Sequence, residues 1–264
     1  MARHIGIVGC SAEGAALCYR TICAEAEEWM GAHAHPEVSM HTHSLAEYEV
    51  PLDRGDMDAV GQLMVSSALK LESIGAEVII CPDNTIHQAL DYARSHTTAE
   101  WLHIADVVAG EAQRRGHRTV GITGTHWLVR SSVYPAALAA VGIEAVRPDE
   151  ADIMETARII MNELVRGEQR PESVRALQGV LARLRAAGCD AVVLGCTELP
   201  LVLSDANAPL PTLDSTRLLA RAALRASLRA SLAWVQRPST LLRDDKEEKT
   251  NDRREWSVGL VSGL

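Results

Sequence analysis

One segment of this 264-residue chain occurs twice, and that constrains the fold more than any other feature. Gly75-Ala-Glu-Val-Ile-Ile-Cys-Pro-Asp83-Asn84-Thr85 returns as Gly188-Cys-Asp-Ala-Val-Val-Leu-Gly-Cys196-Thr197-Glu198. In both copies a glycine closes a helical pattern and a short apolar strand comes after it. A reactive side chain then arrives eight positions after the glycine. A small hydrogen-bonding residue comes next, and then more helical pattern. Ahead of the first copy Met64, Ala68 and Leu71 recur at i, i+4, i+7; ahead of the second, Leu177, Val180, Leu181 and Leu184 form a similar stripe. The repeated unit is therefore helix–strand–turn–helix, and two copies predict two similar lobes rather than one long sheet.

Short apolar runs alternate with amphipathic segments along the whole chain, the pattern of parallel α/β architecture. Strands are expected at His4–Gly9, Val38–Leu45, Glu77–Cys81, Leu102–Ala105, Thr119–Thr123, Glu144–Arg147 and Asp190–Gly195. The expected fold class is α/β, with two pseudo-symmetric lobes, each a mostly parallel sheet flanked by helices, and the active site in the cleft between them. The first lobe takes residues 1–105 plus 211–236 and the second takes 106–210, where Ala-Pro-Leu-Pro interrupts the pattern. A last helix opens near Asp214 or Ser215, either a natural N-cap, and is expected to return to the first lobe. Residues 237–264 are polar and mixed in charge and read as a disordered tail.

Composition narrows the partners. A net charge of −9 with no basic stripe argues against nucleic acid. There is no apolar run near membrane-spanning length and no charged-then-apolar leader, so a cytoplasmic protein without a membrane partner is expected. Phe is absent and Trp and Tyr number only five and four, so the core must be built from Leu, Ile, Val and Ala. The six cysteines form no CxxC pair and no zinc spacing. Cys18, Cys23, Cys81 and Cys189 read as reduced packing residues, and only Cys196 stands in a turn that asks for more.

A strand of an open parallel sheet delivers its last residues to the crevice at the sheet's C-terminal edge. The next helix aims its free N–H groups and positive dipole end at the same place. Asn84, Thr85 and Thr197 would there offer N–H groups and side-chain donors to a substrate carboxylate. Such a position also biases a thiol toward thiolate, which makes Cys196 a competent base. Asp83 is either a helix N-cap or, by its equivalence to Cys196, the facing base. A carboxylate and a thiol on opposite sides could take a proton from one face of a carbon and return one to the other. Ser11, in the turn after the first strand, and Thr125, after Gly121-Ile-Thr-Gly124, are further anion-binding candidates. Arg130 is either solvated or a clamp for a second carboxylate. His41 and His43 share one strand face and read as packing residues, since no third metal ligand is evident, and His87 reads as structural.

These residues resemble those of the aspartate/glutamate racemase superfamily. Asp83-Asn84-Thr85-Ile86-His87 stands where that family carries Cys-Asn-Thr-x-His, and Gly195-Cys196-Thr197-Glu198-Leu199-Pro200 matches its Gly-Cys-Thr-Glu signature. Gly124-Thr125, Glu163-Leu-Val-Arg-Gly167 and Leu213-Asp-Ser-Thr-Arg217 match as well, over roughly residues 4–230. The resemblance implies a cofactor-independent amino-acid racemase, a small-molecule substrate, no metal and a homodimer. It implies two opposed acid–base groups at Cα, with the substrate carboxylate held by Asn84, Thr85, Thr125 and Thr197. The first catalytic cysteine is replaced here by Asp83, with Cys81 two residues earlier as the alternative. Superfamily relatives that keep one cysteine imply a second reading, a decarboxylase or cis–trans isomerase acting on a small dicarboxylate through Cys196. A non-catalytic amino-acid binder is the third.

Overall fold

The computed structural model describes residues 2–235; the tail expected at 237–264 lies outside the described residues. The duplication is visible first in its glycines. Helix α3 (Met57–Ser73) and helix α9 (Pro171–Ala186) both end in the same hydrogen-bonded turn. Gly75 N–H donates to Glu72 and Ala76 N–H to Leu71; Gly188 N–H donates to Arg185 and Cys189 N–H to Leu184. The two glycines sit at φ 96° and 97°, a left-handed conformation that favours Gly because it lacks Cβ. Each turn feeds a buried strand, β3 (Val78–Ile80) and β7 (Ala191–Leu194).

Around β3 the first sheet has the order β2-β1-β3-β4, with β1 at Ile5–Gly9, β2 at Val38–Thr42 and β4 at Glu100–Trp101. Around β7 the second has the order β6-β5-β7-β8, with β5 at Thr119–Thr123, β6 at Glu144–Val146 and β8 at Thr212–Asp214. Every pairing is parallel. The central strands β1, β3 and β7 are buried along their full length, which explains their unbroken apolar sequences: helices cover both faces.

The lobes exchange a helix. Helix α5 (Ile104–Arg115) comes after the first sheet but packs Ala105, Val108, Ala109 and Ala112 against Val120, Ile122 and Val193 of the second. Helix α10 (Ser215–Val235) comes after the second sheet but packs Leu219, Ala220 and Ala223 against Ile5, Ile7 and Ile80 of the first. With no Phe available, the large buried apolar side chains of the described residues are aliphatic or Met apart from Tyr48, Trp101 and Tyr134. The remaining α1 (Ala12–Met30), α2 (Leu45–Arg54), α4 (Leu90–Ser95), α6 (His126–Arg130), α7 (Val133–Ala140) and α8 (Glu150–Asn162) complete the two layers.

Three differences from the sequence expectation exceed one residue at a strand end, each for a local reason. The strand expected at Leu102–Ala105 ends by Trp101, because His103 caps α5 by accepting the Ala105 N–H at 3.1 Å. The strand expected to reach Leu45 stops at Thr42, because Ser44 and Glu47 form a capping box that starts α2. The second sheet also runs past residue 210. Strand β8 is an edge strand entered through Pro211, whose carbonyl accepts the Val192 N–H at 2.9 Å. Among the described residues, no helix is long and apolar enough to cross a membrane.

Candidate active site

The turns at the C-terminal ends of β1, β3, β5 and β7 line one cavity. The first lobe contributes Cys10, Ser11, Asp83, Asn84 and Thr85, and the second contributes Thr125, Gly195, Cys196, Thr197 and Glu198. Helix α2 adds Leu45, Glu49 and Leu52, and Ile86, Trp127, Ile160, Met161 and Val165 complete an otherwise apolar wall. The cleft holds about 510 Å³ of space free of protein atoms, its open mouth included.

The pseudo-symmetry becomes chemical here. Thr85, from the first copy of the repeat, lies 2.8 Å by its hydroxyl from Thr125, in the turn after the first strand of the other lobe. Thr197, from the second copy, lies 3.1 Å by its hydroxyl from Ser11, again in the turn after the first strand of the other lobe. The contact is close enough to require glycine nearby: a Cβ on Gly14 would collide with the Thr197 methyl. Four of the expected anion-binding residues, Ser11, Thr85, Thr125 and Thr197, thus meet as two hydroxyl pairs across the cleft.

Asp83 sits two residues past Cys81 at the cavity wall, and its Oδ2 accepts the N–H groups of Cys10 at 3.0 Å and Ser11 at 3.2 Å. Those two bonds favour the carboxylate. Burial outweighs them, with the Glu198 charge adding to it, and the Asp83 carboxyl is pushed up to about 7 from 3.8. Cys81, by contrast, is sealed in the first lobe's core, its thiol donating to the Asp83 carbonyl at 3.8 Å, and it does not line the cavity. Of the two candidates for the missing cysteine's position, only Asp83 reaches the cleft.

Cys196 keeps part of its surface toward the cavity and donates its thiol proton to Glu198 Oε2 at 2.9 Å. Thr197 donates to the same oxygen at 2.8 Å. Thr197 and Cys196 therefore converge on one buried carboxylate, and Ser11 joins them through Thr197. The sequence expectation of a lowered thiol pKa is overturned. Burial, then the Glu198 charge, pushes the Cys196 thiol well above its usual range. The chain beyond Cys196 forms a single 3₁₀ turn at Leu199–Leu201, too short for the dipole to offset a carboxylate in contact.

Two expected binding residues are placed differently. The Asn84 side chain is spent inside the protein: its Nδ2 donates to Ser215 at 3.1 Å and its Oδ1 accepts from Tyr134 at 2.5 Å. It braces the first lobe's turn against the start of α10 and against α7 rather than offering its amide to a ligand. Arg130 is not a cavity residue. It ends α6 and turns outward to pair with Glu150 at the start of α8 and to contact Met154. His87 is buried, its Nε2 lies 2.9 Å from the Cys81 carbonyl, and burial lowers its pKa to about 3, so it is neutral. His41 and His43 pair with Ser67 and Ser66 of α3. Among the described residues no cluster of His, Cys, Asp and Glu could hold a metal ion. The wall residues from α2 and α8, and the role of Glu198, were absent from the sequence reading.

The sequence profile of the Asp/Glu/hydantoin racemases matches residues 5–223, and the chain belongs to that family. The broad specificity amino-acid racemase RacX of Bacillus subtilis (strain 168) is 24% identical over 169 residues, covering 63% of this chain and 71% of RacX. Among solved structures, a Yersinia pestis protein assigned as an Asp/Glu racemase superposes with a TM-score of 0.78 at 30% identity, covering 86% of this chain and 100% of that one. An aspartate racemase homologue from Pyrococcus horikoshii OT3 gives 0.73 at 26% identity, covering 86% and 99%.

Proposed function

We propose that this chain is a cofactor-independent amino-acid racemase in which Asp83 and Cys196 act on opposite faces of Cα. One observation carries the reading: the two ionisable groups come from equivalent turns of the duplicated unit and line one cavity, one from each lobe. In one direction the Asp83 carboxylate takes the Cα proton, so a C–H bond breaks and an O–H bond forms. The Cys196 thiol then gives its proton to the other face of the carbanion and is left as thiolate. The reverse reaction uses the thiolate as base and protonated Asp83 as acid. A thiol held back as far as this one is a strong base once ionised, which suits a weakly acidic carbon. The substrate carboxylate, which takes up the charge of the carbanion, is assigned to the Thr85–Thr125 hydroxyl pair, which keeps one proton free, and to first-turn N–H groups, which have no acceptor within a helix.

The dicarboxylate decarboxylase or isomerase reading is disfavoured by the same cavity. Among the described residues, Asp83, Glu198 and Glu49 line it and no Lys, Arg or His does, so a second substrate carboxylate would meet repulsion. Incubation of single amino-acid enantiomers in heavy water tests the proposal: the opposite enantiomer should accumulate with deuterium at Cα. Absence of Cα exchange across the proteinogenic amino acids would refute it.

A further inference from the structure

We propose that the side-chain pocket of this site is built for a cationic amino acid of the lysine or arginine type, with Glu49 as the counter-ion. This rests on the racemase reading above and adds what that reading leaves open. The observation is the inward stripe of α2. Leu45, Glu49 and Leu52 have i, i+4, i+7 spacing, so they lie on one helix face, and all three line the cavity. Glu49 has no hydrogen-bond or ion-pair partner among the described residues. It is a carboxylate set between two leucines in a cavity whose lining also includes Trp127 and Ile160. A methylene chain would cover that apolar surface, and a terminal ammonium or guanidinium would reach the Glu49 carboxylate. This is the way long cationic side chains divide themselves between apolar and polar surroundings.

The rest of the cavity agrees in sign. Its other ionisable acids, Asp83 and Glu198, add negative charge, and among the described residues the wall holds no Lys, Arg or His to answer it. The adjoining outer recess adds Glu13 and one histidine, His43. A substrate with an acidic side chain is excluded by repulsion, and a neutral one of similar length would bind the wall but leave Glu49 unanswered. The Arg130 clamp that an acidic substrate would need is engaged outside the cavity by Glu150.

The test compares Cα deuterium exchange for lysine, arginine, methionine and glutamate, in the native protein and in Glu49→Gln and Glu49→Lys. The native protein should favour lysine or arginine over methionine in kcat/KM by about tenfold or more, the effect of a charge-assisted hydrogen bond. Glu49→Gln should bring that ratio close to one, mainly through KM, and Glu49→Lys should turn the preference toward glutamate. Exchange of methionine or glutamate at least as fast as lysine in the native protein overturns the assignment while leaving the racemase reading intact. So does a lysine preference that survives Glu49→Gln. If no amino acid exchanges, the racemase reading falls and calorimetric titration decides the rest. Lysine binding that weakens about tenfold or more in Glu49→Gln keeps the pocket assignment, on the same charge-assisted basis. No lysine binding removes it.

Discussion

Replacing Asp83 by Asn removes a charge that the fold disfavours, so the variant should gain stability relative to the native protein as pH rises. The carboxyl titrates near 7 in the fold against 3.8 ordinarily. A raised carboxyl binds its proton more tightly in the folded than in the unfolded chain, so its favourable contribution is full below about pH 4. That contribution is lost progressively as pH climbs through about 7. At ~1.4 kcal/mol per tenfold, the gap corresponds to about 4 kcal/mol, a ceiling because the side chain keeps some contact with the cleft. Asn retains an oxygen able to accept the Cys10 and Ser11 N–H groups, so the comparison isolates the charge. Urea unfolding of both proteins at pH 4 and pH 8 reads it directly. With m near ~2–3 kcal/mol/M, the midpoint difference, variant minus native, should rise by about 1–2 M between the two pH values. A difference that stays flat, or that falls with pH, would show that Asp83 is an ordinary, well-solvated carboxylate, and the argument for its poise near neutrality would fail.

Catalysis should carry the same signature. The two working forms, carboxylate with thiol and carboxylic acid with thiolate, hold equal numbers of protons, so kcat/KM should rise through about pH 7 identically for both enantiomers. A kcat/KM that stays flat through that range would contradict a working carboxyl poised near neutrality. Glu198→Gln removes the charge that raises both Asp83 and Cys196, so the acid limb of that profile should move to lower pH; an unmoved limb removes Glu198 from the site's electrostatics. Gly14→Ala forces a methyl against Thr197 and should cost about 1–3 kcal/mol in unfolding free energy, the usual penalty for overpacking. An unchanged melting temperature would mean the cleft opens freely at that contact.

Much of this architecture could be read from the chain because its determinants are local. Gly75 and Gly188 announce the same left-handed helix end, and the apolar runs of β3 and β7 come after them at fixed spacing. The features that escaped were decided at a distance. Strand β8 is three residues after a proline, and only its pairing with β7 makes it a strand. Arg130 looked like a clamp until the first turn of α8 supplied Glu150. Asn84 looked like a ligand donor until Tyr134 and Ser215, 50 and 131 residues away, claimed its amide. The Cys196 shift came first from burial and then from Glu198, which stands two residues on in the sequence. Nothing in the motif says whether that carboxylate turns toward the sulfur or away, so the dipole argument alone pointed the wrong way.

Enantiomer-resolved exchange in the two single variants, Asp83→Asn and Cys196→Ser, is the most direct measurement. Each should lose racemisation by about a hundredfold or more, as expected for removal of one acid–base partner. Each should still wash deuterium into one hand of the substrate without inverting it, and the hand retained by one variant should be the hand lost by the other. If both variants exchange the same enantiomer, or either still racemises at the native rate, then Asp83 and Cys196 do not face the carbon from opposite sides.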